Sequence, residues 1–375
     1  MRVPRVVVGL SGGVDSSVSA YLLKKKGFDV VGVYMENWDP VEEGSSNCSR
    51  SKDQSDARNV SNKLNIPFHT VNFVKEYWND VFQKFLENYK NGRTVVPDID
   101  CNRSIKFNYF HDIAIKTFNA DYIATGHYAS TSYGDYQENP HNGDVSLICG
   151  ADPLKDQTFF LCTLKQEQLK RAMFPLGSMY KTEVKRIAKE QGFESIAKKA
   201  ESMGICFVGK KASFEDFLNQ YIEERSGNVV LESGDIVGEH NGIHHFTIGK
   251  RIHGKYLSRS RSHLGYFVVK IDSNNNTIVA CEGSHHPSLY ATRFIIQTPE
   301  WIHPLDSIRS QVPIMCRIQR THPPVWCKIE QMGDYISVQP HIPLRATAPG
   351  QMCVFYAGNV CLGGGEVIDI QETLY

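Results

Sequence analysis

The sequence has no run of about 18 or more apolar residues, so neither a membrane-spanning helix nor a membrane partner is expected. It has no excess of either charge. The 41 Lys and Arg are matched by 41 Asp and Glu, and the global basic footprint of many nucleic-acid binders is missing. None of the ten cysteines forms a C-x-x-C pair or falls into a regular framework. That spacing argues against a structural zinc site and against a disulfide-stapled secreted module. Internal repeats and low-complexity segments are also lacking. Arg2-Val3-Pro4-Arg5 runs straight into a strand, so no signal peptide is expected and no mitochondrial presequence is visible.

What is present is ordinary in bulk and informative in detail. At 375 residues, 41% hydrophobic and 22% charged, the chain should form two or three globular domains. Charge is unevenly spread: Lys155 to Lys211 holds twelve Lys and Arg against six Asp and Glu. Such a run suits either a solvated helical face or a local patch for a polyanion.

Val6-Val7-Val8 reads as a buried strand ending at Gly9, followed by a glycine-rich turn. Val14, Val18, Tyr21 and Leu22 then recur at helical spacing up to a C-terminal Gly27. Val30 to Tyr34 is a second buried strand, and this order implies a right-handed parallel unit. Further helices are expected over Asp56–Leu64, Tyr77–Lys90 and Ile105–Phe118, with strands over Phe68–Phe73 and Asp121–Thr125. The alternation predicts a doubly wound α/β sheet, with ligands beyond the carboxyl ends of its strands, where the first loop and Gly126-His127 fall. After residue 210 the texture changes. One helix, Phe214–Glu224, precedes β-rich runs such as Tyr266–Ile271 and Thr277–Cys281, and Arg293–Ile370 continues in the same style. The expected division is a catalytic domain over 1–211, a small β-rich connector over 212–288 and a C-terminal β-barrel over 289–375.

Ser11-Gly12-Gly13-Val14-Asp15-Ser16-Ser17 lies between a strand and a helix, where backbone N–H groups converge on an anion. A Walker A loop would carry Gly-Lys-Ser/Thr here, and that lysine is missing. The segment resembles the pyrophosphate loop of N-type ATP pyrophosphatases. The resemblance implies cleavage of ATP between the α- and β-phosphates, transfer of AMP to an oxygen, and Mg²⁺ bridging the phosphates with help from Asp15. Gly9, Leu10, Ser11, Gly12, Gly13, Val14, Asp15 and Ser16 would cradle the nucleotide.

Two cysteine-bearing segments narrow the family. Gly92 to Phe107 contains Pro97-Asp98-Ile99-Asp100-Cys101-Asn102-Arg103, and Glu201 to Gly209 contains Met203-Gly204-Ile205-Cys206. Both are similar to the catalytic segments of tRNA-specific 2-thiouridylases, and Tyr77-Trp78-Asn79-Asp80-Val81-Phe82 resembles the mitochondrial type. Ala124 to Tyr128, Lys155-Asp156-Gln157 and Cys361 to Gly365 extend the likeness over nearly the whole chain. It implies a mitochondrial location, otherwise a cytoplasmic one, and ATP-dependent thiolation of the wobble uridine of tRNA. Cys206 would carry a persulfide, Cys101 would act as nucleophile and Asp98 as general acid/base. Met35 and Gly126 would meet the adenosine. Pro97, Asp98, His127, Lys155, Asp156, Gln157 and Gln351 would meet tRNA. The implied substrates are the tRNAs for Lys, Glu and Gln, with sulfur relayed from a cysteine desulfurase.

The chemistry supports two thiols: one presents the sulfur, and the other severs the bond left behind by thiol–disulfide exchange. Both need electropositive surroundings, since a cysteine has a pKa of roughly 8.5. Arg103 and Lys106 follow Cys101, and Lys198 and Lys199 precede Cys206. The other eight cysteines read as small buried hydrophobes, and Phe107, Tyr109 and Phe110 as core. The chain departs from the family at Val95-Val96, where the usual segment reads Thr-Pro-Asn-Pro-Asp, and at Arg320-Thr321-His322 in a shortened loop. Two other functions are compatible with the fold: an amidating-synthetase type of ATP pyrophosphatase acting on a small molecule, and a catalytically dead RNA-binding protein.

Overall fold

The computed structural model describes residues 2–38, 49–199, 214–258, 262–303 and 313–375. Cys48 and Cys206, with the segment around each, lie outside the described residues. So does the start of the connector expected at residue 212.

The first sheet is built from β1 (Arg5–Gly9), β2 (Asp29–Glu36), β3 (Phe68–Asn72) and β4 (Tyr122–Ala124). Between β4 and its last strand the chain makes a hairpin of β5 (Ala129–Thr131) and β6 (Leu147–Cys149), and β7 (Ala172–Met173) completes the sheet. The order is β3-β2-β1-β4-β7, and each of these pairings is parallel. Both faces are buried along the central strands, as a parallel sheet requires, while the edge strand β3 has no buried residue. Val7, Val31, Val33 and Ile123 enter one core, while Val6, Val8, Val30 and Ala124 enter the other. The chain leaves β1 toward β2 on one side, and β4 lies on the other. The crevice between the carboxyl ends of β1 and β4 is therefore the topological switch point.

Several expected elements shift at their ends. The helix after the glycine turn spans Val14–Lys25 and stops at Gly27, whose φ is +89°. The helix expected from Ile105 instead begins at Pro97 and runs to Phe118, with π-helical turns over Cys101–Tyr109. Pro97 occupies a first-turn position, where its missing N–H costs nothing. The helix expected over Tyr77–Lys90 begins at Val74 and is also widened, over Trp78–Phe82. The Phe214 helix is short, Phe214–Leu218, and the Asn219 side chain after it bonds to Glu224, His244 and His245.

A four-stranded sheet follows, of β8 (Gly227–Leu231), β9 (Ile236–His240), β10 (Tyr266–Asp272) and β11 (Thr277–Glu282), in the order β10-β11-β8-β9. The remaining strands are β12 (Tyr290–Gln297), β13 (Glu300–Trp301), β14 (Met315–Arg317), β15 (Val325–Met332), β16 (Tyr335–Pro340), β17 (Leu344–Arg345), β18 (Met352–Ala357) and β19 (Val360–Thr373). Six of them close a ring, β12-β16-β15-β14-β18-β19, because β19 returns to pair with β12. The expected barrel is therefore present.

The barrel is not separate from the first domain. β6 pairs with β19, Val360 opposite Ile148 and Cys361 opposite Leu147, so the hairpin extends the barrel's sheet. Gly363, Gly364 and Gly365 permit close packing beside this junction. A Cβ at Gly365 would stand 2.2 Å from the Gln297 carbonyl oxygen, and one at Gly364 would stand 2.8 Å from Cys162 Sγ.

Candidate active site

The glycine loop is stitched by its own serines. Ser16 and Ser17 hydroxyls donate to the Gly13 carbonyl at 3.1 and 2.8 Å, and Ser16 Oγ accepts from the Ser11 amide at 3.1 Å. Ser16 and Ser17 are buried, so they shape the loop and leave the anion to backbone amides. The helix that starts at Val14 has no side-chain cap, and its first-turn N–H groups suit a phosphate. Gly12 has φ +74°, and a Cβ there would stand 2.2 Å from the Asp53 carbonyl oxygen. Gly126 also lies close: its Cβ would come within 2.7 Å of the Ser16 amide nitrogen. Met35 covers Gly9, with its Cε 3.0 Å from where a Cβ would lie. Gly9, Met35, Gly126 and the loop thus meet at the switch point.

Two lysines and a tyrosine near the loop gave no signal of their role in the sequence. Lys181, the first residue of the Lys181–Glu190 helix, is buried and reaches both oxygens of Asp15, at 2.7 and 2.6 Å. The Tyr128 hydroxyl donates to Asp15 Oδ1 at 2.8 Å. Lys199 donates to the Gly12 carbonyl at 3.1 Å and pairs with Asp53 and Asp56. Its charge therefore secures the loop. Asp15 is already balanced by Lys181, and the described residues contain no group of three His, Cys, Asp or Glu able to hold a metal. These residues do not form a protein cage for Mg²⁺; a hard cation here would ride on the nucleotide phosphates.

The second half of the site is the amino end of the helix from Pro97. Asp98 is half-buried in its first turn, and Cys101, buried, stands where the π-helical turns begin. Burial pushes the Asp98 carboxyl up to about 6, against the opposing pull of Lys106. The same Lys106 helps hold His127 well below its usual range, although burial is the larger cause. His127 is therefore a neutral imidazole, 2.8 Å from Thr125 Oγ1. Lys106 thus supplies positive potential between Asp98 and the strand end. Arg103 supplies less than its position suggested, because Asp100 takes its guanidinium and the Lys84 ammonium, each at 2.8 Å.

The remaining predicted residues are less exposed than a surface contact would suggest. Pro97 and Gln351 are buried, and Gln351 Oε1 accepts from the Ala348 amide at 2.9 Å. Asp156 is buried, Gln157 and Lys155 half-buried. Val95 and Val96, which break the family pattern, line a cavity of about 170 Å³ between this segment and the barrel. Outside the site, burial raises the Cys149 and Cys281 thiols to about 11 and that of Cys162 to about 12, which keeps them protonated.

A parallel sheet of this order, with a lysine-free glycine loop at its switch point, defines the N-type ATP pyrophosphatase class. Profiles described as "tRNA methyl transferase HUP domain", "tRNA methyl transferase PRC-barrel domain" and "Aminomethyltransferase beta-barrel domain" match residues 4–210, 215–282 and 291–367. The chain is 66% identical to the probable mitochondrial tRNA-specific 2-thiouridylase 1 of Caenorhabditis elegans, over 99% of this chain and all of that one. It is 43% identical to the mitochondrial tRNA-specific 2-thiouridylase 1 of Drosophila melanogaster, over 97% of this chain and 93% of the other. It is 42% identical to the tRNA-specific 2-thiouridylase MnmA of Enterococcus faecalis, over 97% and 95%. The chain belongs to the tRNA-specific 2-thiouridylase family. The profile descriptions speak of methyl transfer, and full-length identity at this level decides against that wording.

Proposed function

We propose that this protein 2-thiolates the wobble uridine of tRNA, using ATP to activate the base and Cys206 and Cys101 to deliver sulfur. The observation that carries the reading is the carboxyl of Asp98. Burial pushes it up to about 6, one helical turn before Cys101, at the amino end of a helix whose Phe110 packs against Gly9 at the start of the nucleotide loop. A general acid/base works best with its pKa near the operating pH.

In this reading the C2 oxygen of uridine attacks the α-phosphorus and pyrophosphate leaves, with backbone amides of the glycine loop and Lys181 opposite the departing charge. Asp98 takes the N3 proton as the oxygen attacks and returns it later. The terminal sulfur of a Cys206 persulfide then adds to C2 and AMP departs. Finally the Cys101 thiolate attacks Cys206 Sγ, the bond to the transferred sulfur breaks, and a Cys101–Cys206 disulfide forms. An external dithiol must reduce that disulfide before the next turnover. Persulfide sulfur comes from a cysteine desulfurase relay, and the substrates are tRNAs for Lys, Glu and Gln. Mg²⁺ would enter with ATP, on its phosphates. The names of the animal relatives support a mitochondrial location.

Nucleoside mass spectrometry of tRNA incubated with the protein, ATP and a persulfide donor tests the reading. Thiouridine at the wobble position is expected, with AMP and pyrophosphate formed in equal amounts. ADP as product, or thiolation without ATP, would overturn it.

A further inference from the structure

The turn over residues 150–158 carries Lys155-Asp156-Gln157, and its geometry gives two of the three a task other than touching RNA. Asp156 Oδ2 pairs with Arg317 Nη2 at 2.7 Å, the side chains being 6% and 8% exposed. Arg317 belongs to β14 of the barrel and also donates to Tyr356 Oη of β18, at 2.7 Å from Nη2 and 3.2 Å from Nε. Asp156 Oδ1 accepts from Thr158 Oγ1 at 2.9 Å and from the Gly150 amide at 3.2 Å. A buried pair with its lone pairs satisfied in this way holds two elements in one relative position, and losing one partner leaves the other charge stranded. Arg320 strengthens the same contact by donating to the Leu154 carbonyl at 2.9 Å.

The other side of the turn leads to the nucleotide loop by two routes. The Asp156 amide donates to the Asp152 carbonyl at 2.8 Å, and Asp152 Oδ2 accepts from the Lys181 amide at 3.0 Å. Lys181 Nζ in turn reaches both oxygens of Asp15. By the second route Gln157 grips Tyr128, its amide donating to the Tyr128 carbonyl at 2.9 Å and its Oε1 accepting from the Tyr128 amide at 3.0 Å. Tyr128 Oη then donates to Asp15 at 2.8 Å. Both routes end on one carboxylate of the phosphate loop.

We propose that Asp156 and Arg317 are positioning residues that form an interdomain clamp, through which the barrel sets Lys181 and Tyr128 at the phosphate end of the ATP site. The inference rests on the ATP-dependent reading of the same site.

Asp156→Asn, Arg317→Met and the double variant, made in the full-length chain, test it. Four quantities are read: KM for ATP in thiolation, Kd for a non-hydrolysable ATP analogue, Kd for tRNA, and Tm. Each single variant is expected to raise KM and Kd for the nucleotide about 5- to 20-fold, with the double variant no worse than the worse single. The tRNA Kd should stay within about twofold of the parent. A weakened tRNA Kd with unchanged nucleotide affinity would make Asp156 an RNA contact and overturn the clamp. So would unchanged nucleotide affinity beside a lowered Tm, which is the signature of a purely structural pair. Should Asp156→Asn fail to fold, Asp152→Ala removes the acceptor of the Lys181 amide, along with that of the Leu154 amide, and is expected to weaken nucleotide binding in the same way; unchanged affinity there sinks the proposal. A parent protein that binds the analogue yet makes no thiouridine would refute the thiolation reading alone, and the analogue Kd would still decide the clamp.

Discussion

Asp98 carries opposite consequences for stability and for chemistry. Its carboxyl titrates near 6 in the folded chain, against about 3.8 to 3.9 when unfolded, and burial is the cause. The folded state therefore binds the proton more tightly. The stabilisation from that proton is fully present below about pH 3.9 and is lost as pH rises through 6. At pH 7.5 the charged form is a burden, so Asp98→Asn should raise stability by on the order of 1–3 kcal/mol, read as an upward shift in Tm. The gain should fade as the pH of the melt is brought toward 4. The same variant should thiolate at least 100-fold more slowly, given the usual worth of general acid/base catalysis at about 10²–10⁴-fold. An unchanged rate would remove Asp98 from the chemistry.

The cysteine pair is tested at the same scale. Cys206→Ser should still release pyrophosphate when tRNA is present and make no thiouridine. Cys101→Ser should stop with sulfur bridging tRNA and protein, a covalent adduct visible on a denaturing gel and cleared by dithiothreitol. Thiouridine formed by Cys206→Ser sinks the persulfide assignment. The sequence pointed to these residues through the likeness of their segments to the catalytic segments of 2-thiouridylases, and the need for a second thiol to release the sulfur agreed with it. Lys181 and Tyr128 were not readable, because their value lies in reaching Asp15 from 166 and 113 positions away. For the same reason the pairing of Arg103 with Asp100 was hidden behind its closeness to Cys101.

Among the elements, the glycine loop and its strands were the most legible, since β-branched runs bounded by glycine permit little else. The helix from Pro97 was the least. Val95-Val96-Pro97 reads as an extended entry, and the apolar periodicity only becomes regular at Ile105. The π-helical turns that lie between them shift the register by widening the ring, and no residue type announces them. The hairpin of β5 and β6 was missed because its strands have three residues each and gain their meaning from β19, more than 200 positions later. Gly126 gives an element-scale prediction. A methyl group there would press on backbone, the Ser16 amide nitrogen at 2.7 Å, which cannot rotate away. Gly126→Ala should weaken nucleotide binding at least tenfold and cost about 1–3 kcal/mol of stability. A variant that binds the ATP analogue normally would show that strand β4 and the loop are not held against each other in solution.

For the whole molecule, the fused sheet and the Asp156–Arg317 pair mean that barrel and catalytic domain present one surface to a large substrate. Net neutrality hides how that surface is charged. Of the twelve cations between Lys155 and Lys211, Lys181 and Lys199 face inward and are paired, whereas Lys165, Arg171, Lys189 and Lys198 are exposed. A polyanion contacting such residues releases counterions, so log Kd for tRNA should climb steeply with log salt. Changing Lys165, Arg171, Lys189 and Lys198 together to Gln should reduce that slope by about 0.7–0.9 for each cation that meets a phosphate. The nucleotide Kd should not move, because none of the four reaches the glycine loop in the described structure. A slope already flat in the parent protein would mean that tRNA is held by something other than its backbone, and a slope untouched by the fourfold change would move the RNA-binding face off this strip.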